Sequence, residues 1–250
     1  MPSKWNWEKN TEPFSTLGGT QPAIFELRQV ADDEFELLKS FRFTSAANRV
    51  IPVAPEFLGR TDLASVPSFL GWFARRHGRH TPAALLHDQL VTNRPELLPE
   101  DQRMPRAQAD LLFREALLVS GVGLVKSWVL WTGVTLGTRR TTPGGKAAIV
   151  AWVVAALAGT GLLGYGVAAG RPALVAAALL APVPSAALWG RQYKAGLIAG
   201  YAFWLVAFGS VPAWLAYQVY RVVEYLAFFV DRLRPQAAEK AEAPQPFDKR

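Results

Sequence analysis

The chain has 250 residues with 27 Lys and Arg against 20 Asp and Glu, a formal charge of +7, so it is basic and long enough for one or two domains. Its lack of cysteine excludes a disulfide framework and any thiolate metal centre. The excess cations sit in short clusters beside apolar runs: Arg139, Arg140 and Lys146, then Arg191 and Lys194, then Arg232 and Arg234. That placement suits membrane flanks and argues against a nucleic-acid partner.

Taken in order, residues 1–20 read as a flexible arm. Its opening MPSKWNWEKN has no apolar run of signal-peptide length, so a cytoplasmic N-terminal domain is expected. Residues 23–30 and 35–44 are rich in β-formers on either side of a polar turn at 31–34, which predicts a hairpin. Residues 49–54 predict a further strand at a sheet edge, because Pro52 cannot donate to a ladder. Helices follow over about 81–91, with Thr81 as N-cap and Pro82 at the first position, and over about 106–120, ended by Gly121. A third helix is expected over 122–137, with Trp128 and Trp131 as packing residues. The fold class is α+β: a small β-hairpin sheet packed on a helical bundle over residues 21–140, followed by a helical transmembrane region.

That second region opens after the turn residues 141–145. The mean hydropathy of +0.11 hides it, because residues 147–190 contain one charged residue, Arg171. Residues 147–168 carry no charge and as a helix would be about 33 Å long, enough for a hydrocarbon core of about 30 Å. Residues 172–189, interrupted by Pro182 and Pro184, and 195–220 are the next two runs. Three spans are therefore expected within 147–220, or four if Gly209 to Pro212 breaks the last and returns the chain. Small residues are dense in all three, as close helix packing in lipid requires. The flanking cations predict a protein of the inner or plasma membrane, in contact with membrane lipid, with its N-terminal domain in the cytoplasm. Residues 221–234 then read as an interfacial amphipathic helix and 235–250 as a disordered tail.

Chemistry concentrates in three segments: Thr61-Asp62-Leu63-Ala64-Ser65-Val66-Pro67, Pro82 to Asp88, and Ala109-Asp110. His87 and Asp88 are adjacent on a helix and so point about 100° apart. Asp110, on the next helix of an antiparallel pair, can reach His87. A carboxylate on one ring nitrogen fixes the tautomer and leaves the other nitrogen as a base. Asp62 and Asp88 are hard oxygen donors of the kind Ca²⁺ takes. Each residue also has a structural reading: a turn for Asp62, a helix-start charge for Asp110, a core histidine for His87. His80, seven residues before His87, leaves little room for the helix that an HD-class metal phosphohydrolase needs between its ligands. The cluster Arg75-Arg76-His77-Gly78-Arg79-His80 reads as a solvated loop or a contact for anionic head groups. No phosphate-cradling loop, nucleophile elbow or zinc spacing is present.

The three segments resemble the domain of unknown function (DUF) 1353 family of phages and bacteria, whose pattern is TDxASVP, an aliphatic helix ending in HD, and an AD-x-x-F helix. The likeness covers roughly residues 20–137. The order of the acidic residues is also similar to that of the bacterial secreted phospholipases A2. That resemblance implies Asp62 and Asp88 as calcium ligands, His87 as base and Asp110 as its orienter. Val91 stands where those enzymes favour tyrosine, and this chain lacks their disulfides. The expectation is a membrane-anchored, calcium-dependent hydrolase of lipid esters. The alternative is a non-catalytic, membrane-anchored structural or interaction protein of phage or prophage origin.

Overall fold

The structure, a computed structural model, describes residues 13–18, 21–31, 34–63, 78–92 and 95–233. Outside the described residues lie most of the expected arm, the second half of the TDLASVP segment, Arg75 to His77 of the basic cluster, and the tail. Six short strands pair into two antiparallel sheets among the described residues. The first has the order β1 (Phe14–Thr16), β4 (Phe41–Thr44), β5 (Val50–Val53); the second has the order β2 (Leu27–Ala31), β3 (Glu34–Leu37), β6 (Arg60–Thr61).

The expected hairpin is β2–β3, with Leu27 opposite Leu37 and Arg28 opposite Glu36. The strand expected over 35–44 is divided, however, and its second half, β4, pairs with β1 and β5 in the other sheet. Between the two strands the alternation lapses, with Leu38 and Lys39 both exposed between buried Leu37 and buried Phe41. In β4 and β5 that alternation turns Phe41, Phe43, Ile51 and Val53 inward, all fully buried. Phe14 and Phe25 complete an aromatic cluster with Phe41 and Phe43, ring centroids 5.0 to 6.1 Å apart. As its prolines suggested, β5 pairs on one side only.

A short helix, α1 (Pro55–Leu58), leads to β6, and α2 (Thr81–Leu90) then runs through the middle of the domain with nine of its ten residues buried. His80, rather than Thr81, stands at its N-cap; Thr81 is the first helical residue, and its hydroxyl oxygen accepts the Gly78 N–H at 2.9 Å. Helix α3 (Arg106–Val119) packs against α2 and buries Asp110, Phe113, Ala116 and Leu117. It ends at Gly121, φ +70°, where the Val122 N–H bonds the Leu117 carbonyl at 3.1 Å, a left-handed cap that glycine adopts without penalty.

Helix α4 (Leu124–Arg140) is shared by both halves of the molecule, because it packs on α3 and also on α5 and α8. On the α3 side, the Arg114 guanidinium lies over Trp128 and Trp131, 4.4 and 5.1 Å from the ring centroids. Helices α5 (Gly145–Ala168) and α6 (Pro172–Leu180) form a hairpin that α7 (Pro182–Ser185) and a 3₁₀ stretch (Ala186–Gln192) carry back to the base of α4. There the chain reverses at Gly190, φ +57°, into α8 (Tyr193–Leu233). Contact is close: a Cβ on Gly166 would lie 3.0 Å from the Val175 nitrogen, and one on Gly200 would lie 2.7 Å from the Pro182 Cβ.

Two segments among the described residues are long and apolar enough to cross a membrane: Gly145–Ala168, and Pro172–Trp204 taken through its bends. The expectation of three or four separate spans is coarsened to that. Helix α8 also runs unbroken through Pro212, so the chain does not return at Gly209 to Pro212, and 221–233 is the continuation of α8 rather than a separate helix. A proline inside a helix forgoes one intrahelical bond and crowds the carbonyl four residues before it, and α8 carries Pro212 without ending there.

Candidate functional site

Three consecutive polar residues of α2, His87, Asp88 and Gln89, bind three different neighbours, because successive helical side chains diverge by about 100°. His87 faces α3. Its Nε2 lies 2.9 Å from Oδ1 of Asp110, and its ring packs on Phe113 with centroids 5.1 Å apart. Asp110 is 1 % exposed, and 11 % of the His87 side chain remains open. A carboxylate accepts and does not donate, so in a neutral imidazole the pair places the proton on Nε2 and leaves Nδ1 with the free lone pair. The second carboxylate oxygen of Asp110 is buried and has no hydrogen-bond partner among the described residues.

Asp88 faces the end of β6. Its Oδ2 accepts the Thr61 hydroxyl, whose oxygen in turn accepts the Leu63 N–H at 2.9 Å. Burial pushes the Asp88 carboxyl up to about 6; the Thr61 bond and the neighbouring imidazole pull it down, and the charge of Asp62 adds to the rise. Leu63 holds the turn in place with φ +63°, a left-handed conformation uncommon for a bulky side chain, while its side chain is 1 % exposed in the core.

Gln89 faces β5. Its Oε1 accepts the Ala54 N–H at 3.0 Å, and its Nε2 donates to the Pro52 carbonyl and to Gln102 Oε1, both at 2.8 Å. Fully buried, it closes the groups that an edge strand would leave open. Sequence reasoning passed over Gln89 and Gln102, and it named Thr61 and Phe113 only as motif or packing residues, without a part in the site. The one available signal was a glutamine in a stretch of α2 where every helical face is apolar.

The structure thus joins His87 to Asp110 directly and Asp88 to Thr61. It leaves Asp62 on the exposed side, near enough for its charge to act on Asp88. Among the described residues no group of three or more His, Cys, Asp or Glu side chains gathers as a metal site. Asp62 and Asp88 alone fall well short of the six to eight oxygens Ca²⁺ takes, and the Thr61 hydroxyl already holds one Asp88 oxygen. Among the described residues, the donor set at Asp62 and Asp88 does not by itself complete a calcium centre.

At the start of α2 and the end of α3, an open cleft of about 550 Å³ is lined by Phe14, Phe25, Leu27, Arg79, Pro82 and Val119; none of the residues that line it belongs to the His87–Gln89 line.

Residues 35–134 match the family described as "Protein of unknown function (DUF1353)" and constitute a domain of that family. The match runs from β3 into α4 and includes Thr61, Asp62, His87, Asp88 and Asp110. Neither a curated protein nor a solved structure matches the chain.

Proposed function

We propose that the DUF1353 domain is a hydrolase of lipid esters held at a membrane by α5 to α8, with His87 as general base and Asp110 as the residue that positions it. The observation that carries this reading is the 2.9 Å pair between His87 Nε2 and a carboxylate buried to 1 % exposure. In the proposed step Asp110 keeps the proton on Nε2, and Nδ1 takes a proton from water as the water oxygen attacks the ester carbonyl. The same proton then passes to the departing alkoxide, leaving the carboxylic acid and the alcohol. With 11 % of its side chain open, His87 is proposed to act on a water molecule as nucleophile.

Anchoring rests on the two apolar segments and on charge. Arg139, Arg140 and Lys146 flank the start of α5, Arg191 and Lys194 flank the start of α8, and Arg171 stands alone at the far turn. Arg139 donates to the Leu188 carbonyl at 3.1 Å, so the base of the returning hairpin lies beside α4. With the cations at the domain end, that end faces the cytoplasm. The anchor then consists of three passes: α5, the return through α6 and α7, and the first half of α8.

The test is hydrolysis of a short-chain aryl ester and of phospholipid vesicles by the full chain in membranes. Asp110→Asn and His87→Gln are each expected to lower the rate by about 10²- to 10⁴-fold while circular dichroism stays unchanged. Calcium enters as an arm of the same assay: chelation is expected to leave the rate unaltered, and a chelator-sensitive rate would restore the calcium reading of Asp62 and Asp88.

A second reading is favoured by a specific observation. Every polar residue from His87 to Gln89 has a partner on a neighbouring element, which is what a non-catalytic, membrane-held interaction protein also requires. Folded protein whose activity is absent, or is indifferent to both substitutions, would establish that reading.

A further inference from the structure

Between Glu115 and Glu224 the chain holds eight Lys and Arg residues and no Asp or Glu. Five of those cations come from separate segments: Arg139 and Arg140 end α4, Lys146 is the second residue of α5, Arg191 lies near the end of the 3₁₀ stretch, and Lys194 is the second residue of α8. The fold gathers these segments at one end, with Arg139 between them. Its Nη2 donates to the Leu188 carbonyl at 3.1 Å and its Nη1 to the Thr142 hydroxyl at 3.4 Å, so one guanidinium joins the α4–α5 turn to the reversal before α8.

A bias of cations toward the cytoplasm would place them at this end, but it does not require that they be held together unpaired. Among the described residues none of the five pairs with a carboxylate. Arg139 is half-buried and spends two of its five N–H groups on neutral oxygens, while its buried Nε has no partner among the described residues. Lys146 and Lys194 stand in the first turns of their helices, where the positive end of the dipole disfavours a cation, and neither turn carries an acidic residue to offset them. Like charges gathered at two helix N-termini repel one another until an anion joins them. Arg140, Lys146, Arg191 and Lys194 are all exposed and open to one.

The neighbourhood selects the anion. Lys146 heads the face of α5 on which Val150, Val154 and Leu157 are 57 to 62 % exposed, the four lying within an arc of about 80°. Trp152, Gly159 and Gly166, on the opposite face, are buried. One open strip thus carries positive charge at its head and aliphatic side chains below, the pattern of an amphiphile with an anionic head. Resting on the anchored reading, we infer that this end of the helical region binds the head group of an anionic phospholipid. Its phosphate is drawn to Arg139 and the cations around it, and its acyl chains lie along the exposed face of α5. The planar guanidinium suits a phosphate diester, whereas a zwitterionic lipid would bring one more cation into the cluster.

The full chain in a neutral detergent is titrated with phosphatidylglycerol, with phosphatidylcholine and with inorganic phosphate, and the midpoint of thermal unfolding is followed by circular dichroism. Phosphatidylglycerol is expected to raise the midpoint, and the other two to leave it unchanged. Arg191→Gln and Lys194→Gln, both at exposed positions, should each raise the half-saturating lipid concentration about fivefold, and Arg139→Gln at least about tenfold. Arg171→Gln, at the far turn, should leave it where it was. An equal shift with phosphatidylcholine overturns the proposal, as does an equal loss on Arg171→Gln. A shift with inorganic phosphate as large as that with lipid also overturns it, since the site would then be one for a free anion. Should Arg139→Gln fail to fold, the two exposed variants decide. Carbonate extraction separates the two ideas. A chain that carbonate releases from its membrane overturns the anchor, whereas a chain that resists release and shows no preference for phosphatidylglycerol overturns the head-group site alone.

Discussion

The DUF1353 domain and the helices after it are packed by different means. In the domain, α2 sends His87, Asp88 and Gln89 to three neighbours, and each finds a partner within its own core. In the helical region the chain instead removes side chains, so that Gly166, Gly196 and Gly200 bring backbones and rings together. Among the described residues, buried polar atoms without a hydrogen-bond partner occur in both parts: Asp110 Oδ2 and Gln102 Nε2 in the domain, the Trp152 indole N–H in the helices after it. The difference teaches what orders each part: directed hydrogen bonds fix the neighbours of α2 in the domain, whereas small residues let the later helices approach closely.

The comparison breaks most clearly at Gln89. Gln89→Ala would leave the Ala54 N–H, the Pro52 carbonyl and Gln102 Oε1 without their partner, at a cost of about 4 kcal/mol. Urea unfolding of the domain should show that loss while the chain stays in the membrane fraction. A loss below about 1 kcal/mol would mean that solvent reaches these groups.

A somewhat smaller effect of opposite sign is expected at Asp88. Its folded carboxyl is pushed up to about 6 from 3.8, so the folded chain binds more protons than the unfolded one between those values, and stability falls as pH rises through that window. Asp88→Asn keeps an acceptor for Thr61 and removes that fall. It should raise stability by up to about 3 kcal/mol at pH 8, with the gain vanishing below about pH 4. A gain independent of pH in thermal unfolding would contradict the buried-carboxylate account.

Smallest is the effect of filling a glycine contact. Gly200→Val would drive a branched side chain into Pro182 and separate α8 from α7, costing about 2 kcal/mol in detergent unfolding. Hydrogen exchange in α2 and α3 should remain unchanged, because that cost stays within the helical region.

Much of the candidate site was legible before any coordinates. His87 and Asp110 stand out as polar residues in aliphatic helices, and an antiparallel α2–α3 pair makes their meeting a matter of helix geometry. Thr61 was less visible, since its part depends on how the turn holding Leu63 at positive φ aims one hydroxyl across 27 residues of sequence at Asp88. Gln89 was legible only as a misfit. Nothing local announces that an edge strand 35 residues earlier needs its amide. In the fold, the β2–β3 hairpin follows from composition and turn chemistry, but the departure of β4 to the other sheet does not. Likewise the apolar length of 195–220 was plain, while its continuation as one helix to Leu233 was not, because proline and glycine at 209–212 are ordinary break signals.

What the amino-acid order determined by itself was local: apolar periodicity, caps, the division between a charged domain and an apolar region, and the identity of the residues able to carry chemistry. These follow from backbone geometry and the transfer of side chains from water, which act over a few turns of chain. Tertiary structure alone decided which side of the His87 ring is occupied, that Asp88 is tied to a hydroxyl while Asp62 stays exposed, and that the second half of α8 stands exposed. Each of these depends on where distant segments stop against one another, a property of packing volume and partner choice that no window of sequence contains.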